Sequence, residues 1–73
     1  MARKEIKSEI TGSVWKIVVQ PGDAVGDEDS LMILESMKME IPVLAEASGT
    51  VAEIRVKEGD SVSEGQVLAV LEI

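Results

Sequence analysis

The stretch GSVWKIVVQPGDAVGDEDSLMILE, Gly12 to Glu35, is followed by a second version of itself, GTVAEIRVKEGDSVSEGQVLAVLE, Gly49 to Glu72. The two align without a gap at a constant offset of 37 positions, and 10 of the 24 pairs are identical. Those identities include Gly22/Gly59, Asp23/Asp60, Leu31/Leu68 and Leu34/Leu71. Two copies are too few for a stacked solenoid, which needs several repeats to bury a core. The repeat predicts instead a single domain over residues 1–73 with pseudo-twofold symmetry, built from half-repeats at about 12–35 and 49–72. The first copy runs into Ser36-Met37-Lys38-Met39, while the second reaches Ile73. Function is expected at this unshared junction.

Within each copy the pattern is that of strands. Leu31-Met32-Ile33-Leu34 and Val67-Leu68-Ala69-Val70-Leu71 are apolar on both faces, as central strands between packed sheets are. Val14 to Val19 alternates and predicts Trp15, Ile17 and Val19 on an inner face, with Trp15 a core residue rather than a ligand-stacking one. In the second copy Ala52, Ile54 and Val56 take that face. Glu5 to Ile10 suits a further strand, and Met39 to Ala45 an edge strand because Pro42 cannot donate to a ladder. Thr11-Gly12-Ser13 reads as a small turn. Pro21-Gly22 fits the centre of a type II turn, with Glu58-Gly59 its counterpart. Turn signals recur every eight to twelve residues or so, the spacing of an all-β sandwich or barrel. About eight short strands in two four-stranded antiparallel sheets satisfy this pattern.

Composition excludes several classes of function. The 73 residues include no cysteine and no histidine, so disulfides, thiolate sites and the usual general base are absent. The chain therefore reads as a non-catalytic protein with no metal site. Its net charge of −7 repels phosphate backbones, which argues against nucleic acid. No apolar run is long enough for a signal peptide or membrane span, and the expected setting is the cytoplasm, as a monomer. Asp23, Asp27, Glu28 and Asp29 form an acidic loop, read as solvated rather than as a docking surface.

At the junction, the strands ending near Ser36 and beginning near Met39 are expected to be antiparallel neighbours, which leaves Met37-Lys38 at a two-residue hairpin tip. Such tips favour Asn-Gly, because both residues take positive φ. Met-Lys breaks that rule, and local rules tend to be broken at functional sites. A protruding amine there either serves as an ordinary surface lysine or is acylated to form a swinging arm on the order of 10–15 Å. Met37 and Met39 also suit flexible gap-filling at a sheet end.

Glu35-Ser36-Met37-Lys38-Met39, set between Gly22-Asp23-Ala24-Val25 and Gly59-Asp60-Ser61-Val62, resembles the biotin carboxyl carrier and biotinyl/lipoyl attachment family. The likeness runs from Ile6 to Ile73 and is greatest to small stand-alone attachment proteins. It implies a flattened β-barrel, or barrel-sandwich hybrid. It further implies covalent biotin on Lys38, with Met37, Met39, Glu35 and Ser36 as recognition residues for a biotin protein ligase. Biotin carboxylase and carboxyltransferase subunits are the implied partners. Related domains carry lipoyl on the matching lysine, usually between Asp and Ala, so the two methionines favour biotin while lipoyl stays as the alternative. Ser36 stands where the family commonly has Ala, and Glu9 and Glu46 replace prolines common before each half-repeat.

Two other classes compete. Asp29-Ser30-Leu31 resembles the phosphopantetheine-bearing motif of acyl carrier proteins, which requires a helix beginning at the serine. An unmodified structural module of the same fold is the other.

Overall fold

In the computed structural model, residues 2–73 are described; Met1, included in the domain expected from the sequence, lies outside them. Eight strands follow in order: β1 (Arg3–Lys7), β2 (Gly12–Ile17), β3 (Ala24–Val25), β4 (Ser30–Ser36), β5 (Met39–Leu44), β6 (Gly49–Ile54), β7 (Ser61–Val62) and β8 (Val67–Glu72). They form two four-stranded antiparallel sheets, ordered β1-β8-β6-β3 and β5-β4-β2-β7. The molecule is the flattened all-β sandwich that the resemblance implied.

Each sheet draws strands from both halves of the chain, because moving every strand by 37 positions turns one sheet order into the other. The equivalence runs further than the identities do. It pairs β1 with β5, so residues 2–36 correspond to 39–73, and only Met37 and Lys38 fall between them. Buried positions obey this symmetry: Val14 with Val51, Val25 with Val62, Leu31 with Leu68, Met32 with Ala69, Leu34 with Leu71 and Ser8 with Ala45. Burial of such side chains contributes roughly 1.5–3 kcal/mol each relative to exposure.

The halves are also cross-bonded. Gly22 takes φ 98° and Gly59 φ 93°, values open to glycine without strain. Asp23 Oδ2 accepts from the Gln20 N–H at 2.9 Å, and Asp60 Oδ2 from the Lys57 N–H at 2.9 Å, closing the same turn twice. The Gly22 N–H then donates to the Val51 carbonyl, and the Gly59 N–H to that of Val14, both at 2.8 Å. Each half's turn is thus anchored on the other half's strand. Asp29 Oδ2 likewise accepts from the Gly26 N–H at 2.8 Å, so two of the four loop carboxylates have structural partners.

Some expectations from the sequence are corrected. Trp15 is 49% exposed and Val14 is buried in its place. The β2–β4 register shifts between Val14 and Lys16, so Trp15 sits in a bulge that defeats simple alternation. The equivalent bulge in β6 leaves Ala52 only partly buried and sends Val51 inward. The first strand covers Arg3–Lys7 rather than Glu5 to Ile10, with Ile10 packed on the core from a loop. Gly12 and Ser13, read as a turn, open β2. Ser30 opens β4, not a helix, which removes the acyl carrier reading.

Candidate functional site

β4 lies inside its sheet between β5 and β2, its Leu31, Met32 and Leu34 fully buried, so it is a rigid support. Beyond Leu34 the strand rises out of the core and pairs Glu35 with Glu40 and Ser36 with Met39. Two residues close the hairpin, as the sequence predicts. Met37 has φ 52° and Lys38 φ 66°, both left-handed. Two such residues give the turn a twist matching that of the strands. Each non-glycine residue in that region gives up roughly 1–2 kcal/mol.

The base of the hairpin is clamped from β2. A Cβ on Gly12 would sit 2.5 Å from the Glu35 carbonyl oxygen, so only glycine admits this approach. Ser36 Oγ donates to the Thr11 carbonyl at 3.1 Å. Ser36, one of the expected recognition residues, therefore has a local hydrogen bond of its own.

Lys38 is exposed at the tip, and among the described residues it forms no ion pair. Met37 is 92% and Met39 62% exposed, so neither fills a gap at the sheet end. All five residues of the expected site are brought together, with Glu35 exposed beneath the lysine. Sequence reasoning passed over Glu40. Once the tip is placed at Met37-Lys38, strand pairing must set Glu40 against Glu35, and like charges directly opposite are destabilising.

Chemically the site offers one primary amine on a fixed turn, flanked by two apolar side chains and underlain by two carboxylates. No cavity is needed for an amide on Lys38 Nζ, and the open surroundings fit a covalently attached arm.

A family described as biotin-requiring enzymes matches residues 4–71. A biotinylated protein TB7.3 homolog of Mycolicibacterium smegmatis is 55% identical over 42 residues, 58% of this chain and 59% of that protein. A biotin/lipoyl attachment protein of Bacillus subtilis is 47% identical over 41 residues, 56% of each chain. These matches therefore span less than two thirds of the relatives' length. The crystal structure of Kluyveromyces lactis urea carboxylase superposes with a TM-score of 0.93 at 40% identity, covering 99% of this chain and 6% of that one.

Proposed function

We propose, from the premise that this chain belongs to the biotin-requiring enzyme family, that it carries biotin as an amide on Lys38 and serves a biotin-dependent carboxylase as its carboxyl carrier. The observation that carries this reading is the strained turn, which falls outside the internal repeat and holds Lys38 in solvent. The chain is the substrate of a ligase rather than a catalyst. In the ligase, the deprotonated Nζ attacks the acyl carbon of biotinyl-adenylate, the amide forms and AMP leaves; the proton goes to the ligase or to water. Met37, Met39, Glu35 and Ser36 present the face that the ligase reads.

When attached, the ureido ring supplies the chemistry of taking up and releasing a carboxyl group. The residues of this chain supply position: the clamped hairpin fixes the root of the arm, and the tether keeps the ring at a high effective concentration at each partner site. Lipoyl on the same lysine is the second reading, favoured by the Bacillus subtilis relative whose name carries both groups.

Intact mass decides between them when the chain and Lys38→Arg are produced with biotin, lipoate and both ligase systems. A biotin-sized increment, lost in the variant, is the expected result. A lipoyl-sized increment would move the partners to acyl- or aminomethyl-transfer complexes, and an unmodified mass throughout would refute the carrier reading.

A further inference from the structure

β1 and β5 are the outer strands of their respective sheets, and a groove with a volume of about 180 Å³ opens between them. Ile6, Ile10, Ile41, Pro42 and Val43 give it an apolar floor, and exposed Glu9 stands at its side. The groove is only partly symmetric about the pseudo-twofold: Ile6/Val43, Lys7/Leu44 and Glu9/Glu46 line it in pairs, and three apolar residues break the symmetry. Its residues Ile10, Ile41 and Pro42 correspond to Ala47, Lys4 and Glu5, none of which lines it. The apolar surface is therefore displaced toward the Lys38 hairpin, where Thr11, next to Ile10, accepts the bond from Ser36.

We propose that this groove is a resting site for the biotin ring on the Lys38 arm, an inference that rests on the biotin reading above. Reach supports it. At about 3.4 Å per strand residue, Ile41 lies roughly 10 Å from Lys38 and Pro42 roughly 14 Å, within the span of the extended arm. Leu44, roughly 20 Å away, is beyond it. Size and chemistry agree. The volume is below the roughly 300–1,000 Å³ of sites that enclose a free ligand, so it suits one small ring system left partly in solvent. The thioether and methylene edge of biotin matches the isoleucines and proline, and its two ureido N–H groups match a carboxylate acceptor at Glu9. Because the ring is tethered, a contact too weak to bind free biotin is still populated.

The test compares backbone amide NMR spectra of the unmodified and biotinylated chain, after intact mass has verified the modification. Shifts are expected at Glu9, Ile10 and Ile41 as well as beside Lys38, with Leu44 and Glu46, which line the groove beyond the arm's reach, unchanged. Ile41→Lys and Pro42→Glu place in β5 the residues that β1 already holds at the equivalent positions, so both variants should fold. Each should be biotinylated normally and lose the shifts at Glu9 and Ile10. Shifts confined to residues 36–40 in a fully biotinylated chain would overturn the resting site and leave the carrier reading intact. An unmodified or lipoylated mass would overturn both.

Discussion

The Lys38 hairpin and the paired chain ends occupy equivalent places in the two halves, yet they are finished differently. At the hairpin Glu35 faces Glu40; at the ends Glu72 faces Arg3, which also pairs with Glu53 at 3.4 Å. Ser36 and Met39 are joined by two left-handed residues, whereas Ile73 and Ala2 exchange backbone hydrogen bonds of 2.9 and 3.2 Å. The same strand pairing is thus completed once with opposite charges and no turn strain. The like charges, and the use of Met37 and Lys38 rather than Asn-Gly in a left-handed turn, are therefore not demanded by the fold. They are properties of the lysine's setting.

The largest test of that contrast lies beneath each end. Gly12 meets the Glu35 carbonyl and Gly49 the Glu72 carbonyl, each too closely for a Cβ. Overpacking of this kind typically destabilises by about 1–3 kcal/mol. Gly12→Ala should fall near the top of that range because the covalent hairpin holds β4 and β5 in place. Gly49→Ala should lose less, since backbone hydrogen bonds rather than a closing turn hold Ala2 to Ile73. Urea unfolding of the two variants checks the order, and equal losses would mean that the hairpin is no stiffer than the paired ends.

A smaller effect, of opposite sign, is expected at the turn itself. Met37→Asn with Lys38→Gly installs the residues that a two-residue turn with positive φ prefers. The protein should gain about 1–2 kcal/mol in the same unfolding measurement while losing any acylation site. No gain would show that the turn geometry carries little strain.

Much of the fold was legible because buried and turn positions change least between the copies. Leu31/Leu68, Leu34/Leu71 and the Gly-Asp turns set the repeat, and the central strands and hairpin followed from it. The equivalence of β1 and β5 was hidden. Their exposed positions changed residue type, as at Arg3/Glu40 and Glu5/Pro42, and the inward positions, Ile6 with half-buried Val43 and, just past the strands, buried Ser8 with Ala45, share burial but no identity. Trp15 was misplaced for a different reason. A bulge adds a residue without a sequence signal of its own, and counting by twos through it puts the tryptophan inside. The five residues of the site could be named from the junction, but the Glu35–Glu40 opposition required the pairing register. The groove required knowing that β1 and β5 both lie at sheet edges.

The smallest predicted effect bears most directly on why the two ends differ. Glu40→Arg copies Arg3 into the hairpin end and replaces a like-charge pair with an opposite one, which should add roughly 0.2–1 kcal/mol. The gain should shrink as salt is raised, because exposed charges are screened over about 10 Å at 0.1 M. Arg3→Glu, the reciprocal change, should lose stability on the same scale. If the paired carboxylates are retained for recognition, Glu40→Arg should also slow acylation of Lys38 by the ligase while the protein becomes more stable, the opposition expected where a site departs from what folding favours. A variant that gains stability and is modified at the unaltered rate would reduce the pair to a surface accident. The contrast between the two ends would then rest on the turn alone.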